Sequence, residues 1–253
     1  MVQQTMAARR EEALPLFYAK PCPLRPQLHG GVSLKQPRHF GFARIGNAIP
    51  ITSAEFPQVQ RDYPIVFTEA PLPMPVAVVG LEDGINSMVE PDGTWRLGSY
   101  VPAYVRRYPF LFAEHPQTRA LTLCIDEASD CLEPGDRNPL FRDGEPTEVT
   151  KRALQFCTGY QREHEATREF GRGLAQAELL VTRDARLQLG PERWVTVRGF
   201  KMIDEAKLNL LSAETFLNWR ARGWLTLIYA HLLSLGGWDR LVHIGRERQV
   251  HAG

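Results

Sequence analysis

The sequence predicts an α+β fold: an antiparallel sheet packed by one long helix and a C-terminal helical set, in a single domain. Three observations point there. Short β-branched runs follow one another between residues 63 and 127 without a helical stretch between them, which favours antiparallel pairing. One segment after residue 147 carries apolar residues at spacings of three and four. The last fifty residues hold two further helical patterns closed by glycines.

Residues 1–60 are rich in proline, glycine and basic side chains, and "KPCPLRPQLHGG" excludes both a regular helix and a central strand. This part is expected as an irregular arm, with "FGFARI" as a short strand. The body is placed at 61–245. "YPIVFTE" and "PVAVVGLE" read as strands. Asp83-Gly84 and Asp92-Gly93 read as tight turns, with a strand near Trp95. "FLFAEH" and "ALTLCIDE" follow as two more strands. The long helix carries Ala153, Leu154, Cys157, Tyr160, Phe170, Leu174 and Ala177 on one face, with His164 and Thr167 on the same stripe. Arg152, Glu163, Glu165, Arg168 and Arg172 read as solvated. "ARLQL" and "RWVTVRGFKMI" form a hairpin around Gly190-Pro191. "DEAKLNLL" is a short helix, Ser212 an N-cap, and Gly223 a C-cap. "WLTLIYAHLLSL" is apolar on all sides and is expected to be buried.

Composition bounds the function. The 253 residues are 43% hydrophobic and 23% charged, values of a chain with a sizeable core. Thirty basic against 29 acidic residues leave a net charge of +1, without the basic excess a nucleic-acid binder needs. Arg25, Lys35 and Arg38 could touch phosphates, but a solvated loop explains them as well, so no nucleic-acid partner is expected. Arg9 and Arg10 are followed by an acidic pair and no apolar core, unlike a secretory signal. No stretch reaches the roughly 18 apolar residues of a membrane span. A cytoplasmic protein is expected, with signal-independent export left open. Cys22, Cys124, Cys131 and Cys157 show no C-x-x-C spacing and read as reduced thiols. Neither a metal nor a cofactor is expected.

Catalytic signatures such as G-x-S-x-G, P-loop, G-x-G-x-x-G and H-E-x-x-H are missing. What remains are clusters with two readings each. In "CIDE", Asp126 at a strand end is either a catalytic acid or a turn cap, with Glu127 beside it and Cys124 as a candidate nucleophile. Asp204 and Glu205 suit a helix start. His231 is either a hydrogen-bonded core histidine or a general base. In "YVPAYVRRYPF", Arg106 and Arg107 stand among Tyr100, Tyr104 and Tyr108. An extended segment would point the two arginines to opposite sides. The inward one would pair with Asp126 or Glu127, or clamp a carboxylate or phosphate ligand.

Six stretches, "YPIVF", "YVPAYVRRYPF", "LCIDEAS", "LFRDGEPT", "VRGFKMIDEAKL" and "GWLTLIYAHLLSL", stand in this order across roughly residues 63–242. Together they resemble the bacterial SapC family. The resemblance implies an accessory role linked to envelope or surface-layer assembly, and the absent catalytic motifs and aromatic-plus-arginine segments add the expectation of a binding protein without enzymatic activity. It brings no catalytic residues. The permease that shares the family label needs several membrane spans, which this chain lacks. The alternative from the residues is an enzyme or ligand-dependent protein acting on a small anion, held by Arg106 or Arg107. Asp126, Glu127 or His231 would then move protons. A protein partner or a small anionic ligand fits either reading.

Overall fold

The computed structural model describes residues 14–36, 39–115 and 117–252. Arg9, Arg10 and Arg38 lie outside the described residues. The first elements are short: β1 (Pro21–Pro23), α1 (Pro26–His29), β2 (Val32–Leu34), β3 (Ala48–Pro50) and α2 (Phe56–Val59). Then come β4 (Ile65–Thr68), β5 (Pro75–Val78), α3 (Ala103–Arg106), β6 (Phe110–Glu114) and β7 (Leu121–Asp126). Three small strands follow: β8 (Leu132–Pro134), β9 (Phe141–Arg142) and β10 (Glu145–Pro146). The C-terminal part contains α4 (Glu148–Gln176), the hairpin β11 (Leu180–Gln188) and β12 (Trp194–Ile203), then α5 (Glu205–Leu208), α6 (Ala213–Ala221), α7 (Trp224–Ser234) and α8 (Gly237–Ala252).

The fold is α+β, and the pairing between its strands is antiparallel. It is divided among several sheets. A five-stranded sheet runs β11-β12-β4-β5-β3, a three-stranded one β1-β7-β6, and β2–β8 and β9–β10 form ribbons. The N-terminal prolines do not keep that segment apart from the sheets. They confine it to short strands, and β1 lies on the edge of its sheet, where a missing N–H costs least. The core holds Tyr63, Phe56, Phe67, Phe170 and Ile125, each fully buried.

Helix α4 buries Thr150, Cys157, Tyr160, Thr167, Phe170 and Leu174, close to the stripe read from the sequence. Leu154 is an exception and stays exposed. Two glycines let this helix approach its neighbours. A Cβ on Gly171 would clash with the Pro73 carbonyl oxygen, and one on Gly173 with the Trp224 ring.

Four local expectations are corrected. "FGFARI" is a 3₁₀ turn, Gly41–Ile45, tied down where Asn86 donates to the Ala43 carbonyl. The Trp95 region makes an isolated bridge to Val89, because the turn held by Asp92 and Thr94 returns the chain at once. Residues 103–106 are helical, the Tyr108–Pro109 peptide is cis, and extended structure begins only at Phe110. Helix α7 buries Ile228, Ala230 and His231 against β4 and β12, yet Tyr229 and Leu233 are exposed. An apolar helix lying on a sheet covers one face only, and Phe216 and Leu217 of α6 are exposed nearby in sequence. Among the described residues no helix is long and apolar enough to cross a membrane.

Candidate functional site

Glu55 fixes the start of α3. Its buried carboxylate accepts hydrogen bonds from Thr52 N (2.7 Å), Ala103 N (2.6 Å) and the Tyr100 hydroxyl (3.2 Å). The Tyr100 backbone is gripped from two more sides. Its N–H donates to Asp62 (2.8 Å) and its carbonyl accepts from the Tyr63 hydroxyl (2.6 Å). Residues 100–107 are therefore set by buried polar bonds, each costly to break. Successive side chains on a helical turn diverge, so Arg106 and Arg107 face different surroundings.

Arg106 donates to the Val101 carbonyl and to the Tyr100 hydroxyl, both at 3.0 Å. Its guanidinium carbon lies 5.3 Å from the Phe156 ring centroid. Arg107 is the inward arginine. Its guanidinium carbon is 4.2 Å from the Tyr104 ring centroid, 4.5 Å from Tyr160 and 5.7 Å from Tyr18. Burial pushes the Tyr18 and Tyr160 phenols well above their ordinary range. At neutral pH they therefore meet the cation as ring faces, not as anions. Among the described residues no carboxylate stands within ion-pair distance of Arg107, and its buried Nε has no hydrogen-bond partner. Arginine remains protonated under these conditions. Cation–π contacts are worth about 0.5–2 kcal/mol each, and they leave its Nε–H without an acceptor.

Arg107 borders two cavities. The first, of about 330 Å³, is lined by Arg106, Arg107 and Arg152 together with Leu34, Phe110 and Phe156. Among the described residues, no acidic residue lines it. The second, of about 290 Å³, is bounded by Tyr104, Arg107, Tyr160 and His164. Burial holds His164 below its ordinary pKa, and its ring stacks on Tyr160. By contrast, a cavity of about 460 Å³ beside α6 contains Arg222, which Glu169 already neutralises at 2.9 Å. Three arginines and an apolar wall make the first cavity suited to an anion carrying an apolar body.

The other residues singled out by sequence do not join this cleft. Asp126 is fully buried and accepts from Ala19 N (3.0 Å), Lys20 N (2.7 Å), Ala128 N (3.3 Å) and the Tyr108 hydroxyl (3.2 Å). Tyr108 accordingly faces Asp126 and stacks on Phe42, away from the arginines. Glu127 pairs with Lys20 at 2.8 Å, and this hydrogen bond holds its carboxyl below the usual range. The expected ion pair of Arg106 or Arg107 with Asp126 or Glu127 is thus not formed: backbone amides and Lys20 occupy those carboxylates first. Cys124 is buried, which pushes its thiol up. His231 is fully buried, accepts from Ile203 N (3.1 Å) and donates through Nδ1 to the Ile65 carbonyl (2.8 Å). Burial pulls its pKa down to about 4. The short helix at Glu205 starts with Asp204 accepting from Ala206 N, a cap as the sequence implied.

Four contributors escaped the sequence reading. Arg152, Phe156 and Tyr160 lie four residues apart on α4, so they share one stripe facing α3. The signal was present, but Arg152 read as a solvated charge and Tyr160 as ordinary core. Tyr18 gave no signal, since nothing local ties it to a residue 89 positions later.

The fold and cleft define an α+β protein in which Arg107 stands between an arginine-lined cavity and a tyrosine-bounded one. The family follows from comparison with known families. The SapC family model matches residues 24–241, most of the chain, and the chain belongs to that family. No curated protein and no solved structure matches it significantly.

Proposed function

We propose that the chain is a non-enzymatic binding protein whose cleft holds a small carboxylate or phosphate on an apolar body. The observation that carries this reading is Arg107, a partly buried guanidinium that among the described residues has no carboxylate partner and borders a cavity lined by two further arginines and no acid. A cation kept this way is stabilised when an anion accepts its unpartnered Nε–H. Arg106, held by the Tyr100 hydroxyl, shapes one wall, and the Tyr104 ring supports Arg107. Catalysis would need a proton-transferring group within reach of the bound anion. Asp126, Glu127, Cys124 and His231 are not among the cavity-lining residues, which supports binding over turnover. An accessory role in envelope or surface-layer assembly, as the family resemblance implies, belongs to this reading, because envelope components supply ligands with an anionic head and an apolar body.

Titration calorimetry of the full chain with inorganic phosphate, an alkyl phosphate and decanoate tests it. At least one of the two amphiphiles should bind more tightly than phosphate alone, and Arg107→Met should weaken its binding. Equal affinity of wild type and Arg107→Met for all three probes would overturn the reading.

A further inference from the structure

Away from the arginine cleft, three donor atoms of different chemistry converge. Cys22 Sγ lies 3.6 Å from His29 Nε2, and that same nitrogen lies 3.5 Å from Glu127 Oε1. All three atoms fall within 4.8 Å of one another. They come from β1, the end of α1 and the residue after β7. Pairing of β1 with β7 sets Cys22 opposite Ile125 and brings Glu127 N to the Lys20 carbonyl. Side chains alternate along a strand, so Lys20 and Cys22 share the face that Glu127 meets. The single turn of α1 then lays the buried His29 ring over them.

Two chemistries use such residues. In a Cys–His–acid relay the thiol meets one ring nitrogen and the acid holds the other. Here the sulfur and the carboxylate both approach Nε2, which leaves no nitrogen for a relay. A shared point among three donors is instead what a metal ion requires. Metal–ligand lengths of about 2.3 Å to sulfur and about 2.0–2.2 Å to nitrogen and oxygen place tetrahedral donors roughly 3.4–3.6 Å apart, the separation measured on both sides of Nε2. Nδ1 sits 2.9 Å from the Arg25 carbonyl oxygen and 3.1 Å from Arg25 N. In the tautomer that frees Nε2, Nδ1–H donates to that carbonyl, the support a ligating histidine ordinarily has. Lys20 takes Glu127 Oε2, leaving Oε1 as a single-atom donor.

We propose that Cys22, His29 and Glu127 form a binding site for one zinc ion, or a divalent cation of similar softness, with water as the fourth ligand. A thiolate, an imidazole and a carboxylate suit zinc, whereas magnesium and calcium prefer oxygen alone. One thiolate and one carboxylate also neutralise the ion's two charges.

The test is titration of the metal-free full chain with Co²⁺, then displacement by Zn²⁺. The expected result is one equivalent of cobalt with a thiolate-to-cobalt charge-transfer band and the strong visible absorption of tetrahedral cobalt, both removed by zinc. Cys22→Ser should lose the charge-transfer band, and Glu127→Gln should weaken zinc binding by more than about tenfold. His29 is buried, so its variants are left aside in favour of these two, whose folding is checked by circular dichroism. His39, Asp130 and Cys131 form a second cluster of donors, and His39→Ala is the control expected to change nothing. Absence of a charge-transfer band in the wild type would overturn the proposal. So would binding that survives Cys22→Ser with Glu127→Gln, or binding lost on His39→Ala.

Discussion

Asp126 and Arg107 both meet the Tyr18–Lys20 stretch and are treated in opposite ways. The Asp126 carboxylate receives three backbone N–H groups and a phenol, so both its oxygens are satisfied by the protein itself. Among the described residues Arg107 receives ring faces and no carboxylate, and its Nε has no partner. A buried charge that the chain satisfies completely serves the fold, because nothing remains for a ligand to add. One left incomplete beside a cavity has bonding capacity to offer.

The largest effect should come from breaking the satisfied member. Asp126→Ala strands several buried donors and should cost about 3–4 kcal/mol of unfolding free energy in urea titration. A loss below about 1 kcal/mol would erase the contrast. His231 is a second fully satisfied group and tests the same principle by pH. Its folded pKa of about 4 lies below the ordinary value of about 6.5. The unfolded chain therefore binds the extra proton first, and stability present above about pH 6.5 declines as pH falls toward 4. The full loss is on the order of 3 kcal/mol, and His231→Gln should flatten that slope.

Breaking the unsatisfied member should do the reverse. Arg107→Met removes a cation that lacks a protein anion. Unfolding free energy should stay level or rise by about 1 kcal/mol, while affinity for the preferred amphiphile falls roughly 30-fold, about 2 kcal/mol. The smallest effect belongs to Arg152 at the exposed edge of the cavity. Arg152→Ala should change stability by less than about 0.5 kcal/mol and affinity only a few-fold, and the affinity change should shrink in high salt.

Local pattern carried much of the architecture. The periodicity of residues 153–177 placed α4, and "ARLQL" and "RWVTVRGFKMI" on either side of Gly190-Pro191 placed the hairpin of β11 and β12. The Asp204 and Ser212 caps were legible too, since capping depends on residues three apart. What local pattern could not carry was partnership across the chain. "YVPAYVRRYPF" announced an inward arginine, but its surroundings are Tyr18 and Tyr160, 89 residues before and 53 after. Asp126 read as a possible arginine partner because the competing amides of residues 19 and 20 belong to a proline-broken stretch that looked detached. Cys22, His29 and Glu127 hid for the same reason: their meeting depends on β1–β7 pairing over a hundred residues apart.

The edge strand β1 also limits what can be added to its side of the three-stranded sheet. Leu24 N donates to the Leu123 carbonyl and Glu127 N to the Lys20 carbonyl, so residues 20, 22 and 24 turn their backbone toward β7. The outward positions between them are Pro21 and Pro23, which have no N–H to offer. That rim of the three-stranded sheet presents carbonyls without donors and cannot template a further strand. Two prolines that look like interruptions in the sequence act as a guard against edge-to-edge aggregation.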